Sequence, residues 1–212
     1  MMLGGKTGIV SVIYYEPDWE ATKRCIQACG VDVIYVDRKG FGSLAKAYNQ
    51  GFSQLPAGVD YVWFMSNPIF PAGTLEHLLL SMDESGFAGI HPSFVSDHLH
   101  IRNNGTKDLV EVPFIEFTAP IVRADVFREF PLDERMPYWG HDLDWSHRVK
   151  QAGYKVGVDH AVELEHTYIR NKRMLPITAK RKRFRKATDK ATEQRLIELY
   201  GRDWRDVVGY HG

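Results

Sequence analysis

Short hydrophobic runs alternate with mixed polar and apolar stretches along most of the chain. Runs of β-branched and aromatic residues, bounded by Gly, Pro or Asp, predict buried strands at residues 8–15, 31–36, 61–65, 89–94 and 154–158. The intervening and later stretches predict helices at residues 19–28, 43–54, 71–85, 143–152 and 177–200. Residues 111–122 are strand-like but contain two prolines, so their course is left open. Because strands and helices alternate, we expect a single α/β domain with a mostly parallel central sheet flanked by helices.

The first helix is expected to begin directly after the end of the first strand. Pro17 and Asp18 end the first strand, and Asp18 is the predicted N-cap of a helix that begins at Trp19. Gly30 is expected to follow the end of that helix.

The overall composition is that of an ordinary globular protein. Of the 212 residues, 44% are hydrophobic and 25% are charged, which excludes a disordered, collagen-like or coiled-coil chain. Cys25 and Cys29 provide neither a disulfide framework nor a four-ligand zinc site. No apolar run approaches the roughly 20 residues of a membrane span, and residues 1–7 are too short and polar for a signal peptide. We therefore expect a cytoplasmic protein, in a bacterial cell or in the host of a virus.

A basic segment, residues 170–188, interrupts an otherwise acidic chain. It contains nine Lys and Arg residues and no acid, although the whole chain has a formal net charge of zero. The rest of the chain is therefore net negative. Such a segment is either a solvated helix face or a site for phosphate groups, whether of a nucleotide, a lipid headgroup or a nucleic acid.

Polar residues at the ends of the first three predicted strands mark a candidate ligand site. In open parallel sheets, ligands bind beyond the carboxyl ends of the strands, here at Tyr15 to Pro17, at Asp37, and at Ser66 with Asn67. A strand-terminal Asp such as Asp37 either accepts a hydrogen bond from a ribose or base or forms an ordinary turn. The chain has no glycine-rich dinucleotide fingerprint and no P-loop motif, which argues against dehydrogenases and P-loop NTPases.

A second candidate region has the sequence YWGHDLDWSHRVKQAGY, residues 138–154. Gly140 permits a sharp turn, and Asp142 lies where the dipole of the predicted helix stabilises its charge. Asp142 is therefore either a helix cap or a base, and Asp144 is consistent with an ordinary acid of the first turn. Trp139 either stacks on a sugar or base or packs in the core.

In order and spacing, these segments resemble family 2 glycosyltransferases of the GT-A fold. The resemblance covers residues 8–166 through VSVIYYEP, VIYVD, GSLAKAYNQGF, YVWFMSNPIFP, FTAPIVRADVFREF, GHDLDWSHRVKQAGYKV and ELEH. The family pattern E-D-x-D-x-x-x-R is matched with His141 in place of the Glu. The resemblance implies a GT-A, Rossmann-like domain at residues 1–168. We expect residues 169–212 to form a basic, mainly helical C-terminal extension packed on it.

The resemblance implies an inverting glycosyltransferase that moves a hexose or pentose from a nucleotide-diphosphate donor to an acceptor hydroxyl. Asp142 matches the general base of the family. The residues that match the donor side are Tyr15, Pro17, Asp37, Asn49, Ser66 and Asn67, and those that match the acceptor side are Trp139, Gly140 and His141. Among them, Asp37 is expected to hold the nucleobase, and Tyr15 and Pro17 to line the nucleotide slot.

The chain departs from the family at the metal-binding D-x-D position. Ser66, Asn67 and Pro68 stand there, and none has the anionic oxygen that a hard divalent cation prefers.

Three arrangements are open at this position. In the first, Mn²⁺ or Mg²⁺ is held weakly by Asn67, His166 and the substrate phosphates. In the second there is no metal, and the diphosphate is neutralised by cationic side chains, Arg170, Lys172 and Arg173. In the third, the protein only binds a nucleotide sugar or a glycan. We favour an active enzyme because Asp142 and its surroundings are intact.

The basic segment also indicates which kinds of acceptor to consider. A basic stretch that carries an aromatic residue, Phe184, on an acidic chain is typical of proteins that follow a phosphate backbone. A modified base in DNA is therefore one predicted acceptor, an activity that suits a small stand-alone viral enzyme. A glycan or a lipid-linked sugar, reached from an anionic membrane surface, is the other.

Overall fold

The computed structural model describes residues 6–13, 16–37, 43–66, 68–94, 105–166 and 179–210. The strands in these ranges are β1 (Thr7–Ile13), β2 (Asp32–Asp37), β3 (Tyr61–Met65), β4 (Pro68–Ile69), β5 (Gly89–Phe94), β6 (Leu109–Glu111), β7 (Ile121–Arg123) and β8 (Val156–His166). The helices are α1 (Glu16–Ala28), α2 (Leu44–Ser53), α3 (Thr74–Ser85), α4 (Ala124–Glu129), α5 (His141–Gln151), α6 (Ala179–Tyr200) and α7 (Trp204–Val208).

All eight strands belong to one sheet, in the order β2-β1-β3-β7-β5-β8-β4, with β6 also paired to β8. β1 pairs in parallel with β2 and β3, and β5 pairs in parallel with β8. β7 joins these two groups by antiparallel pairing with β3 and β5. The prediction of an α/β domain with a mostly parallel central sheet and flanking helices is confirmed.

Hydrophobic side chains cover both faces of the sheet. Val10 and Phe64 pack with Tyr48 of α2 on one face, and Trp63 packs with Leu78 of α3 on the other. Successive side chains of a strand point to opposite faces, so a strand covered on both sides has no polar alternation. This is why the unbroken run YVWFM predicted β3 with its observed bounds.

Helix α1 begins earlier than the sequence predicted. It starts at Glu16, so Pro17 and Asp18 lie in its first turn, and the prediction of Asp18 as the N-cap is wrong. Proline is tolerated in the first turn because the backbone N–H groups there have no partner within the helix.

Residues 111–122, for which the sequence predicted no definite course, include the end of one strand and the start of another. β6 ends at Glu111 and β7 begins at Ile121. Between them lie Pro113 and Pro120, which cannot donate to a strand ladder. The irregular segment that results, residues 112–120, crosses the carboxyl end of β3, where the Ser66 amide donates to the carbonyl of Thr118 at 2.9 Å.

Strand β8 is longer than predicted. It continues from Val156 to His166 and so includes the ELEH run that the sequence left as a separate segment. A register shift between Pro92 and Ser93 of the partner strand β5 accommodates the extra length.

The C-terminal helices pack on the region around α5. Leu196 of α6 and Trp204 of α7 share a hydrophobic cluster with Met136 and Leu143. The division of the chain at residue 168 stays a prediction.

In the part of the chain that the structure describes, we find no helix with the length and apolar character needed to cross a membrane.

Candidate active site

Asp142 lies in the first turn of α5, as the sequence predicted for a helix-terminal acid. Its Oδ1 accepts hydrogen bonds from the backbone amides of Gly140 at 2.9 Å and Leu143 at 3.0 Å. Within the described residues, Oδ2 has no hydrogen-bond partner, and the side chain is half-buried. The N-cap of α5 is Gly140, so the cap interpretation of Asp142 is wrong, and Asp142 is a first-turn carboxylate with one oxygen available to a ligand.

A second carboxyl group, Glu116, lies close enough to Asp142 for the two charges to interact. Burial, together with the charge of Asp142, raises the pKa of Glu116 from 4.5 to about 8. Glu116 therefore carries its proton at neutral pH.

Helix α5 holds the segment on either side of Glu116. The hydroxyl of Ser146 accepts a hydrogen bond from the amide of Ile115 at 3.1 Å. The ring of Phe117 packs edge-on against Trp145, with centroids 5.3 Å apart. These contacts set the position of Glu116 relative to the first turn of α5.

Asp144 has a structural environment that differs from that of Asp142. It is 2% exposed and forms an ion pair with Arg148 at 2.8 Å, one helical turn away. Its Oδ1 accepts a hydrogen bond from the hydroxyl of Tyr200 at 2.6 Å. Both oxygens are therefore occupied by contacts within the protein.

The predicted acceptor residues lie between α5 and α6. The indole of Trp139 donates to Asp189 at 2.8 Å, and the Trp139 carbonyl accepts from the hydroxyl of Thr192 at 3.2 Å. Gly140 has a φ of 85°, and a Cβ placed there would lie 2.5 Å from Cγ2 of Thr192. His141 is buried, and its Nδ1 lies 3.1 Å from the Met136 carbonyl oxygen. The structure gives these three residues positions next to Asp142, and their contact with an acceptor stays a prediction.

Two of the predicted donor-side residues have described side chains. Ser66 follows β3, and its hydroxyl lies 3.3 Å from the Thr118 carbonyl oxygen. Asn49 of α2 donates to Leu132 and Glu134 at 3.0 and 3.1 Å and accepts from the Leu132 amide at 3.1 Å. Asn49 thus fastens α2 to the chain that leads into α5, and its role in donor binding stays a prediction.

Several predicted site residues cannot be placed. Tyr15, Asn67, Arg170, Lys172 and Arg173 lie outside the described residues, and the side chains of Pro17, Asp37 and His166 do as well. Their roles stay predictions.

The described residues do not fit a conventional divalent-cation site. Among the residues that the structure describes, no group of three His, Cys, Asp or Glu side chains could hold a metal ion. At the D-x-D position, the Ser66 hydroxyl is directed at a carbonyl group and Pro68 has no ligand atom in its side chain. We therefore assign no catalytic step to a metal.

Sequence reasoning missed or undervalued three residues of this region. Glu116 lies in the segment whose course was open, and His91, for which the sequence favoured a surface position, is buried in β5. The Nε2 of the buried His91 accepts from the amide of Ala119 at 3.2 Å and so holds the segment that carries Glu116. Tyr200 is separated from its partner Asp144 by 56 residues, and no local signal indicates such a contact.

Comparisons with solved structures identify the fold. GalNAc-T7 with UDP, GalNAc and Mn²⁺ superposes with a TM-score of 0.56 at 10% identity, over 76% of this chain and 43% of that one. Residues 1–349 of S. aureus TarS give 0.54 at 10% identity, over 95% and 69% of the two chains. The catalytic domain of Drosophila β1,4-galactosyltransferase 7 in complex with xylobiose gives 0.53 at 14% identity, over 84% and 79%.

Sequence comparisons identify no relative. No family model matches the chain, and no curated protein matches it. Membership of family 2 therefore stays a prediction. The fold itself is shown, because the sheet, the flanking helices and the structural neighbours agree: the chain has the GT-A fold of nucleotide-sugar glycosyltransferases.

Proposed function

We propose that this protein is an inverting glycosyltransferase that moves a sugar from a nucleotide-diphosphate donor to an acceptor hydroxyl, with Asp142 as the general base. The position of Asp142 supports this function most directly. Its Oδ1 is held by two backbone amides, which orients the carboxylate, while Oδ2 has no hydrogen-bond partner within the described residues. An oriented carboxylate with an available oxygen is what proton abstraction from a hydroxyl requires.

The proposed reaction is a single displacement. The acceptor oxygen forms a bond to the anomeric carbon of the donor sugar while its proton passes to Oδ2 of Asp142. The bond between the anomeric carbon and the diphosphate oxygen breaks, and the nucleoside diphosphate leaves with the electron pair. Attack from the face opposite to the leaving group inverts the anomeric configuration.

Glu116 supports the same assignment of roles. Because its pKa is raised to about 8, Glu116 is neutral at pH 7. A neutral carboxyl group beside the base can donate a hydrogen bond to substrate without adding a second negative charge.

UDP-sugars are the donors to test first, because GalNAc-T7 was solved with UDP and Mn²⁺. A thermal-shift screen of nucleotide diphosphates and nucleotide sugars, with and without Mn²⁺, reports donor choice and metal dependence together, since a ligand that binds the folded state raises the melting temperature. A shift that needs Mn²⁺ favours the weak metal site at Asn67 and His166. An equal shift without Mn²⁺ favours neutralisation of the diphosphate by Arg170, Lys172 and Arg173.

Asp142→Asn tests the proposed base. We expect kcat for transfer or donor hydrolysis to fall by about 100-fold or more, with donor affinity within about threefold of wild type, since only proton acceptance is lost. Asp125→Asn is a matched control, because Asp125 also lies in the first turn of a helix and accepts from the next amide, that of Val126 at 2.8 Å. Near-normal turnover by Asp142→Asn would place the base elsewhere. Donor binding without turnover in the wild-type protein would favour the binding-only relative.

The acceptor that we propose is a hydroxyl group on a modified base in DNA. The nine basic residues of the basic segment on an otherwise acidic chain support this choice. We expect the affinity for DNA to fall with salt, with a log–log slope of about −3 or steeper, since each neutralised phosphate contributes about −0.9. Replacing Lys180, Arg181 and Lys182 by Ala should make the slope shallower, whereas Lys107→Ala, at an exposed position outside the segment, should not. A slope near zero would contradict this acceptor and leave the glycan and lipid-linked alternatives.

A further inference from the structure

Four polar contacts join helix α6 to residues 133–144, which lead into α5 and form its first turn. Asp133 forms an ion pair with Arg195 at 2.8 Å. The side chain and the carbonyl of Trp139 bond to Asp189 and Thr192, at 2.8 and 3.2 Å. The fourth contact is from the hydroxyl of Tyr200, which donates to Asp144 at 2.6 Å. Helix α6 thus contacts residues 133–144 through polar bonds as well as through hydrophobic packing.

The bond from Tyr200 acts on the turn that contains Asp142. Asp144 is two residues beyond Asp142, and its amide donates to the Gly140 carbonyl at 2.9 Å, which closes this turn. The other carboxylate oxygen of Asp144 binds Arg148, and Arg148 also donates to the Pro131 carbonyl at 2.7 Å. The Tyr200 hydroxyl thus completes a network that fixes the start of α5 from both sides.

Tyr200 is suited to this role. Its ring packs against His147, with centroids 4.8 Å apart, so the hydroxyl has little freedom to move. Burial and the hydrogen bond to Asp144 raise the pKa of Tyr200 well above its usual value. The hydroxyl therefore remains a donor over the whole pH range in which a glycosyltransferase would be assayed.

We propose that Tyr200 is a positioning residue for Asp142: by holding Asp144, it keeps the first turn of α5, and with it the Asp142 carboxylate, where proton transfer from the acceptor occurs. This inference rests on the proposed function. It also makes α6 part of the framework that positions the active site. Small displacements of a catalytic group lower turnover steeply while leaving distant binding contacts intact.

Tyr200→Phe tests the inference because it removes only the hydroxyl. We expect kcat to fall by about tenfold or more, with the KM for the donor within about twofold of wild type. Hydrogen exchange of the amides of residues 140–144 should become faster by about tenfold or more, because the first turn of α5 loses an anchor.

Tyr61→Phe is the matched control. Tyr61 also donates to a carboxylate, that of Asp83 at 2.5 Å, and its pKa is also raised, to about 12, by burial and that bond. Its partner belongs to α3, not to α5 or α6. We expect Tyr61→Phe to change kcat by less than about twofold and to leave exchange at residues 140–144 as in wild type. A merely structural role for Tyr200 would lower the stability of Tyr200→Phe and would leave kcat as in wild type, whatever the change in local exchange.

Asp189→Ala is the second variant, for use if Tyr200→Phe does not fold. It removes one of the two hydrogen bonds between α6 and Trp139, leaves Tyr200 in place and favours the helix. We expect a lower kcat with unchanged donor KM here too. Turnover and exchange like those of wild type in the folded variants would overturn the positioning role. Absence of turnover in the wild-type protein would instead overturn the proposed function, so the two failures are distinguishable.

Discussion

Glu116 and Asp142 illustrate how surroundings, rather than residue type, decide what a carboxyl group does. Asp142 is held by two backbone amides at a helix N-terminus, which fixes the orientation of its carboxylate. Glu116 faces this charge from a half-buried position, which favours its protonated form. Two like charges close together are costly in a partly buried site, so one of the two groups keeps its proton.

The raised pKa of Glu116 predicts a pH-dependent stability. The folded state binds this proton more tightly than the unfolded chain, so its stabilising effect is complete below about pH 4.5 and is lost as the pH rises through about 8. In Glu116→Gln this dependence is absent. The free energy of unfolding of the variant relative to wild type should therefore rise by about 3.5 kcal/mol between pH 5 and pH 8, as measured by urea denaturation.

Glu129→Gln is the control for this measurement, because Glu129 is exposed at the end of α4. Its stability should run parallel to that of wild type over the same range. Parallel curves for Glu116→Gln as well would show that Glu116 is not held in its protonated form.

Gly140 is required by two constraints at once. Its φ of 85° is strained for any residue with a Cβ, and a Cβ there would lie 2.5 Å from Thr192. Gly153 has a similar φ of 90°, with no atom within 4 Å of the added Cβ. Substitution at Gly153 therefore measures the cost of backbone strain without the cost of a steric clash. We expect Gly153→Ala to cost about 1 kcal/mol and Gly140→Ala to cost about 3 kcal/mol by chemical denaturation. Equal losses of stability in the two variants would mean that α6 shifts to make room for the methyl group added at Gly140.

At the level of elements, α6 and α5 are joined by polar contacts as well as by hydrophobic packing. Asp133 receives hydrogen bonds from Arg135 and from Arg195 of α6, at 2.8 Å in each case. Partial burial disfavours its charge, but these bonds outweigh that effect and lower the pKa of Asp133 to about 2. The connection between α6 and the segment that leads into α5 is therefore strongest when Asp133 is ionised.

Asp133→Asn should weaken this connection in a pH-dependent manner. Because the pKa is lowered in the folded state, the stabilisation is present above about pH 4 and is lost as the pH falls through about 2. Allowing for screening by solvent, we expect a loss of about 1 kcal/mol at pH 7 that shrinks toward pH 2, measured by denaturation at both pH values. Asp125→Asn breaks a comparable ion pair with Arg123, in which the side chain of Asp125 is 59% exposed and that of Arg123 is 35% exposed. This substitution should lower the free energy of unfolding by less than about 0.5 kcal/mol. A loss that is independent of pH would contradict this account.

At the scale of the whole molecule, the sheet brings distant segments of the chain to one edge. Ser66 ends β3, and Glu116 lies in the segment that crosses this end, two residues from Thr118, to which Ser66 bonds. Helix α5 then brings Asp142 to Glu116. Residues 112–120 thus connect Ser66 with the surroundings of Asp142, and in our proposal the transferred sugar lies beside this segment.

The sequence predicted most of the elements that can be identified from their own residues. β3 and β5 have the predicted bounds because nearly all of their residues are buried in the core. α2 begins as predicted, since the side chain of Ser43 caps it by accepting from the Lys46 amide at 3.1 Å. Short elements such as β4, α4 and α7 were not predicted, because two to six residues contain too little periodicity to be recognised.

The sequence by itself determined the α/β class, the GT-A resemblance and the place of Asp142 at a helix N-terminus, because each depends on local patterns and their order. Only the tertiary structure decided that Glu116 faces Asp142, that Asp144 belongs to a network with Tyr200, and that α6 closes against Gly140. Such contacts join residues far apart along the chain. They arise when burial and charge bring the elements together, and no pattern within a short stretch of sequence records them.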